Sequence, residues 1–176
     1  MKYVRSVDKI IVSLERGEEL CGTLKMLAAE ENIKFALVRA HGSCLRVTLG
    51  SYDRKGRGLS VWSYNDAWDY ELASATGELP GGETPELNLH AVIGSVLKGD
   101  EYGSSMYDRN PGLTYAGTLE RAEAGAGITA VLELLDISAR LVNVPRPEKG
   151  GFFGKIGAAF ADTDENSPSY KRLELE

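Results

Sequence analysis

The fold is decided by residues 9–39, which read KIIVSLERGEELCGTLKMLAAEENIKFALVR. Lys9–Leu14 alternates apolar and polar residues, which is typical of a strand with one buried face. The next apolar residues recur at i, i+4, i+7 and i+8 and so form one stripe along a helix: Leu20, Leu24, Leu27 and Ala28. Ile33–Arg39 is apolar at nearly every position between Phe35 and Val38, which predicts a strand near the centre of a sheet.

Both ends of this helix are marked in the sequence. Gly17 interrupts the first strand, and Glu18 and Glu19 then place carboxylates at the positive end of the helix. Asn32 is a residue that often ends a helix, because it tolerates the left-handed conformation needed there. We therefore expect a strand, a helix and a second strand, with the apolar stripe of the helix covered by the sheet.

The remaining residues up to 144 predict short strands joined by hairpins. Residues 40–43 predict a tight link, residues 53–58 a polar turn that contains glycine, and residues 122–127 the turn of a final hairpin. The predicted strands are Cys44–Tyr52, Leu59–Tyr64, Trp68–Leu72, Leu87–Val96, Leu113–Arg121, Ile128–Leu135 and Ile137–Val144. Ser74–Leu79 either continues the strand at Trp68–Leu72 or forms the next strand across a bend. This order predicts an α+β domain over residues 1–144, with a mainly antiparallel sheet and one principal helix.

Residues 145–176 differ in character from the domain that precedes them. Pro145, Pro147 and the Gly150-Gly151 pair are typical of a linker, and an apolar block, Phe152–Phe160, follows them. We interpret residues 145–176 as a C-terminal extension that docks on the body or on a neighbouring subunit, or is flexible.

Composition limits the classes of partner. Across 176 residues, 26 acidic side chains outnumber 20 basic ones, and the net charge of −6 opposes nucleic-acid phosphates and anionic lipid at long range. Two histidines and two cysteines are too few for a cysteine-rich zinc module or a disulfide scaffold. The first residues lack the apolar core of a secretory signal, and no stretch is long and apolar enough to span a membrane. We expect a cytoplasmic protein with reduced thiols and no membrane partner.

The compact basic cluster of the chain lies in the turn predicted at residues 53–58. Arg54, Lys55 and Arg57 could contact nucleic-acid phosphates, and a trimer would present the cluster three times. The cluster lacks the proline of an AT-hook core, Arg-Gly-Arg-Pro. The alternative is a solvated turn whose charges serve solubility.

Six segments, in this order and spacing, carry a resemblance to a known family: Gly17–Leu20, Ile33–Val38, Gly42–Asp53, Glu71–Gly77, Leu87–His90 and Gly117–Leu119. Together they resemble the PPC domain, the plants-and-prokaryotes-conserved domain, over most of the chain. In plants this domain accompanies AT-hook segments in nuclear proteins, and in bacteria it usually stands alone. The resemblance implies an α+β fold with a mainly antiparallel sheet, a homotrimer, and DNA-associated or regulatory binding.

Bacterial members of that family often carry three histidines that can hold a divalent metal. The corresponding positions here are Asn88, His90 and Thr118, and this donor set is poor for zinc, which prefers several nitrogen or sulfur ligands. We therefore expect no metal and no other cofactor. A remnant polar pocket could instead bind a small ligand through these three residues and Glu71. The alternative is a polar sheet face, or a histidine held at a subunit interface.

Two further patterns could support catalysis. His41 and Ser43 suggest a base and a nucleophile, but neighbours in a tight link rarely hold the required geometry, and a backbone turn at Gly42 is simpler. Acidic residues near the predicted loop at 80–85 could supply an acid–base pair, or form a solvated rim: Glu71, Glu78, Glu83 and Glu86. We assign no catalytic residue.

The sequence thus predicts a non-enzymatic, homotrimeric binding module whose DNA-associated role comes from the family, while its own charge argues against direct DNA binding. The alternative is a small-ligand-binding protein or an enzyme that uses a pocket around His90.

Overall fold

A computed structural model describes residues 1–52, 59–64, 70–95, 114–143 and 171–175. Its elements are β1 (Lys2–Arg5), β2 (Lys9–Leu14), α1 (Leu20–Glu30), β3 (Phe35–Tyr52), β4 (Leu59–Tyr64), β5 (Tyr70–Pro80), β6 (Asn88–Ser95), β7 (Thr114–Leu135), β8 (Ala139–Asn143) and β9 (Lys171–Leu175). The predicted α+β class is confirmed, with one helix among the described residues and strands that pair antiparallel. The strands predicted at Lys9–Leu14 and Leu59–Tyr64 have the predicted bounds.

Seven of the described strands form one sheet that closes on itself. Its order is β1-β2-β7-β6-β5-β3-β4, and β7 also pairs with β3. Residues 114–118 of β7 pair with β6, whereas residues 118–135 pair with β3, so that β3, β5, β6 and β7 form a closed circuit. The circuit has an inner face, which holds the core, and an outer face, which alternates with it along every strand.

The inner face and the helix stripe form one hydrophobic core. The predicted stripe is confirmed, because Leu20, Leu24, Leu27 and Ala28 are all buried. The alternating strand residues Ile10, Val12 and Leu14 meet them there. Fully burying a side chain of this size contributes about 1.5–3 kcal/mol, so the core is the main source of stability.

The N-terminus of α1 lies where its acidic residues predict, and it is tied to β7. Glu19 is the N-cap, and its carboxylate accepts the N–H groups of Cys21 and Gly22 at 2.9 and 2.6 Å. One of its oxygens also accepts the N–H of Ala122 on β7 at 3.2 Å. The carboxylate therefore satisfies helix donors that would otherwise lack partners and fixes the helix against the sheet.

The predicted end of the helix at Asn32 is confirmed. Asn32 has a φ of 51°, in the left-handed region. The N–H of Ile33 donates to the carbonyl of Ala28 at 3.0 Å, and the N–H of Asn32 to that of Ala29 at 3.4 Å. These two bonds form a Schellman motif, which Asn tolerates better than most residues.

The first strand is fastened to the same end of the helix. The Tyr3 hydroxyl and the Arg5 guanidinium both donate to the Glu31 carboxylate. These two donors hold the pKa of Glu31 below its usual value. Because Tyr3 and Arg5 reach the helix, α1 covers this side of β1, and Val4 between them faces the opposite side.

The link predicted at residues 40–43 is wrong. β3 runs without a turn from Phe35 to Tyr52, and the irregularity between Ala40 and Gly42 is a shift in register. Gly42 is needed for close packing instead. Its φ is 144°, and a Cβ there would lie 2.3 Å from the carbonyl oxygen of Gly127.

The final hairpin predicted across Ala122–Gly127 is also wrong, because β7 is one strand of 22 residues. Its backbone groups in this stretch are satisfied by other segments rather than by a turn. Ala124 donates to the carbonyl of Glu18 and accepts from the N–H of Gly17, both at 2.9 Å. The Ser43 hydroxyl accepts the N–H of Ala126 at 3.1 Å. The small residues of this run let the helix entry pass close to the strand.

The structure also decides two other strand predictions. The continuous interpretation of Ser74–Leu79 is confirmed, because β5 runs from Tyr70 to Pro80 with a register shift between Leu72 and Ser74. β8 pairs with β9, which brings residues 171–175 of the predicted extension against residues 139–143. Residues 144–170, including Phe152–Phe160, lie outside the described residues, and the domain boundary at residue 144 stays a prediction.

Candidate functional site

His90 and Thr118 face each other across two neighbouring strands. His90 on β6 pairs with Thr118 on β7 on one side and with Thr76 on β5 on the other side. Directly opposed residues of an antiparallel pair have Cβ atoms about 4.5–5.5 Å apart. The imidazole is exposed and Thr118 is half-buried. The register thus places an imidazole between two hydroxyl groups on the outer face.

Asn88 belongs to the same face but is already engaged. It lies two residues before His90, and its Nδ2 donates to Oε2 of Glu78 on β5 at 3.1 Å. Both side chains are half-buried. Sequence reasoning placed Glu78 only in a group of acids near a loop, although its period-2 spacing from Thr76 on one strand was a usable signal.

Glu71, the fourth residue predicted for this pocket, lies apart from the other three. It is exposed and pairs with Gly94 of β6, four residues along the strand from His90. At about 3.3 Å per residue, four residues correspond to roughly 13 Å. Glu71 lies five residues before Thr76 on β5, and this distance along the strand separates it from His90; the register shift between Leu72 and Ser74 brings its partner one residue closer to His90.

His41 and Ser43, which were considered as a base and a nucleophile, do not form a catalytic pair. His41 is exposed on β3 opposite Thr129. Ser43 uses its hydroxyl to accept the N–H of Ala126 on β7. The geometry therefore gives Ser43 a role in holding β3 and β7 together.

The two thiols are unsuited to nucleophilic attack or metal binding. Cys21 and Cys44 are both buried and are not joined in a disulfide. Burial raises the pKa of each thiol to about 12, so that both are protonated at neutral pH.

The basic cluster Arg54, Lys55 and Arg57 lies outside the described residues. The strands on either side of residues 53–58, β3 and β4, pair antiparallel from Val47 to Tyr52. Arg46 on β3 and Arg121 on β7 share one carboxylate that sequence reasoning missed. Arg46 lies 3.3 Å and Arg121 lies 4.0 Å from Glu123.

Comparison with models of protein families identifies the family of this chain. The Plants and Prokaryotes Conserved (PCC) domain matches residues 1–105. The chain belongs to the PCC domain family. The match confirms the family expected from the sequence motifs, since PCC and PPC abbreviate the same name. No curated protein matches the chain.

Solved structures share the PCC fold at low sequence identity. A "putative DNA-binding protein" from Ralstonia eutropha is 18% identical, with a TM-score of 0.68, 99% of this chain and 96% of that one covered. A protein of the same description from Bacteroides thetaiotaomicron is 19% identical, with a TM-score of 0.66 and coverage of 82% and 90%. A PPC protein from Pyrococcus horikoshii is 19% identical, with a TM-score of 0.57 and coverage of 84% and 88%. At these identities the likeness shows the fold.

The donors around His90 do not fit the divalent metal that the PCC family implies. One imidazole stands beside a threonine hydroxyl, and the nearby amide of Asn88 bonds to Glu78. Within the part of the chain that is described, no three His, Cys, Asp or Glu side chains group closely enough to hold a metal ion. Zinc sites typically use three or four nitrogen, sulfur or carboxylate ligands, and this site supplies too few.

The helical content also bears on membrane contact. In the described ranges, no helix of this PCC protein has the length and hydropathy required to cross a membrane.

Proposed function

We propose that this PCC protein is a homotrimeric binding module that acts without catalysis in a DNA-associated, regulatory role in the cytoplasm. The observation that carries the proposal is the family match over residues 1–105, and the His90 site, which supplies too few metal ligands, adds to it. The family match and the DNA-binding descriptions of two structural neighbours support the DNA-associated part.

Charge sets how such a module meets DNA. A net charge of −6 opposes approach to phosphates, and Arg46 and Arg121 are both near Glu123. The proposal therefore assigns direct duplex contacts to the turn with Arg54, Lys55 and Arg57, repeated three times in the trimer. Binding through so few cations is weak and falls steeply with salt.

A mobility-shift titration at low salt tests the DNA-associated role. We expect a shift at micromolar protein that disappears when Arg54, Lys55 and Arg57 are changed together to alanine. The matched control is Arg140→Ala, because Arg140 is an exposed arginine on β8 that lies 3.5 Å from Glu174. The absence of any shift with the wild-type protein would remove direct DNA binding from the proposal.

Light scattering tests the assembly separately. A homotrimer has three times the chain mass of 19.1 kDa, and a monomer has that mass alone. A monomer at micromolar concentration would contradict the trimer and leave the DNA experiment to be judged by itself.

A second function is favoured by one observation, the exposed imidazole of His90 between Thr76 and Thr118. A histidine with hydroxyl groups on both sides can donate and accept hydrogen bonds to a small polar ligand. The test is thermal unfolding of the wild type and His90→Ala in the presence of divalent metal salts and a panel of small metabolites. A ligand that stabilises the wild type and not the variant supports this function. An identical response of the two proteins excludes the site.

A further inference from the structure

A cleft of about 340 Å³ lies at the end of α1, where this helix meets the loop after β5 and the link from β7 to β8. Its volume is within the range of small-molecule sites, about 300–1,000 Å³. Pro80, the last residue of β5, lies four residues beyond Thr76, so the loop is roughly 13 Å along the strand from the site around His90. The side chains that line the cleft are aliphatic and polar: Ala29, Ile33, Ala139, Asn32, Lys34 and Ser138.

The backbone that forms the cleft is held by hydrogen bonds. The N–H of Gly81 donates to the carbonyl of Lys34 at 2.9 Å, and the N–H of Glu86 donates to the carbonyl of Pro80 at 3.0 Å. Gly81 packs so closely on the residues before β3 that a Cβ would lie 1.6 Å from the carbonyl oxygen of Ile33. The cleft is therefore formed before a ligand arrives, and binding does not have to order these segments.

Lys34 forms an exposed ion pair at the edge of the cleft. Its Nζ lies 2.6 Å from Oδ1 of Asp136, and the two side chains are 67% and 86% exposed. The hydrogen bond between them raises the pKa of Lys34 and lowers the pKa of Asp136, so both groups are charged at neutral pH. An ion pair this exposed stabilises a protein little, because water solvates both charges. Either group can therefore exchange its partner for an opposite charge on a ligand at small cost.

The charges around the cleft favour a ligand that carries both signs. A simple anion would bind Lys34 but would meet Asp136 and the C-terminal end of α1, where helix carbonyls carry partial negative charge. A simple cation would meet the ammonium of Lys34. A zwitterion can pair with both groups, and the Asn32 amide and the Ser138 hydroxyl can donate or accept further hydrogen bonds. The aliphatic lining suits a short apolar side chain.

We propose that this cleft binds a free α-amino acid with a small aliphatic side chain, its carboxylate on Lys34 and its ammonium on Asp136. The site is distinct from the one around His90 and needs neither DNA nor a second copy of the chain. The inference therefore goes beyond the proposed function and stands or falls separately from it.

Isothermal titration calorimetry of the full chain tests the site with L-alanine, L-valine and L-leucine. For the amino acid that binds, two analogues each lack one charge; for leucine these are 4-methylpentanoate, without the amine, and 3-methylbutylamine, without the carboxylate. We expect at least one amino acid to bind in a saturable way and both of its analogues to bind at least about tenfold more weakly.

Variants of the ion pair test the placement of the ligand. Lys34→Met and Asp136→Asn each remove one charge and keep the size of an exposed side chain. Each should weaken binding of the amino acid at least about tenfold. Lys2→Met is the matched control, because Lys2 on β1 forms a similarly exposed ion pair with Glu15, also at 2.6 Å, and does not line the cleft. It should bind the amino acid like the wild type.

Each contrary result overturns one part of the proposal. Absence of saturable binding by all three amino acids would overturn it as a whole. Equal affinity for an analogue that lacks one charge would overturn recognition of a zwitterion, and unchanged binding in a folded Lys34→Met or Asp136→Asn would overturn the placement in the cleft. Loss of binding in His90→Ala but not in Lys34→Met would assign the ligand to the site around His90 instead. If circular dichroism shows that one ion-pair variant is unfolded, the other decides.

Discussion

Removing the Glu19 carboxylate should destabilise the protein more than its partly exposed position suggests. The side chain accepts three backbone N–H groups, from Cys21 and Gly22 in α1 and from Ala122 in β7. Loss of an N-cap costs about 1 kcal/mol. Loss of a hydrogen bond to a charged group costs roughly 1.5–3 kcal/mol. Because the bond from Gly22 is exposed to solvent, we take the low end and expect Glu19→Ala to lose about 2–3 kcal/mol.

Urea unfolding followed by circular dichroism measures this loss. At about 1–3 kcal/mol per molar urea, a loss of about 2–3 kcal/mol lowers the midpoint by roughly 0.7–3 M. Glu19→Gln keeps one acceptor oxygen and should lie between Ala and the wild type. All proteins are compared at one chain concentration, since association shifts apparent stability.

Glu30→Ala is the control, because Glu30 is exposed in the last turn of the same helix. A carboxylate at that end opposes the helix dipole, so its removal should change stability by less than about 0.5 kcal/mol. If Glu19→Ala and Glu30→Ala lie within that margin of each other, the carboxylate does not join the helix to β7. Faster hydrogen exchange at the Ala122 amide in Glu19→Ala alone would locate the effect at the predicted bond.

Three further outcomes follow from packing and protonation. Gly77→Ala should unfold or precipitate the protein, because a Cβ there would lie 1.8 Å from a backbone oxygen of β6, whereas Gly94→Ala, with nothing within 4 Å of its Cβ, should express and melt like the wild type. Because its pKa is lowered in the folded protein, ionised Glu31 stabilises the fold above the unfolded-state pKa of about 4.3, and this contribution is lost as pH falls through the folded-state value. The free energy of unfolding should therefore fall less steeply between pH 7 and pH 3 in Glu31→Gln than in the wild type. Equal slopes would contradict this prediction. Cys21 and Cys44 should resist a thiol reagent at pH 8 and react after addition of urea, and rapid labelling of the folded protein would show that they are not buried.

The helix and its neighbouring strands could be predicted from the sequence because their signals are local. The stripe from Leu20 to Ala28 repeats with the helical period, and Asn32 carries the conformational preference that ends the helix. Lys9–Leu14 alternates because one face packs on the core. In each case the residues that decide the structure are the residues that display the pattern.

The course of β3 and β7 could not be predicted, because the deciding contacts are distant in sequence. Gly42 resembles a turn residue, but its requirement comes from the carbonyl of Gly127, 85 residues away. The small residues of β7 after Arg121 resemble a hairpin turn for the same reason. Their backbone bonds go to Gly17, Glu18 and Ser43. A Gly-rich sequence is typical both of a turn and of two backbones that pack closely together. Only the position of the neighbouring segment distinguishes the two cases.

Only part of the candidate site could be predicted from the sequence, for a related reason. The period of two along β6 places Asn88 and His90 on one face, and the motif order placed Thr118 beside them. The separation of Glu71 depends on the pairing of β5 with β6, which sets Thr76 and not Glu71 opposite His90, and the bond from Asn88 to Glu78 depends on the same pairing. The alternation of side chains between two faces can be predicted from the sequence of one strand, whereas the register depends on how two strands pair.

One register row crosses the outer face of the sheet from β2 to the candidate site. It runs from Ile11 through Val131, Arg39 and Thr76 to His90, and its chemistry changes from apolar to polar at Arg39. The inner-face residues that build the core alternate with these positions and do not depend on them. Substitution along the row can therefore change what the surface binds while the fold stays constant. This separation explains how a PCC chain can keep its architecture at 18–19% identity to these three solved structures.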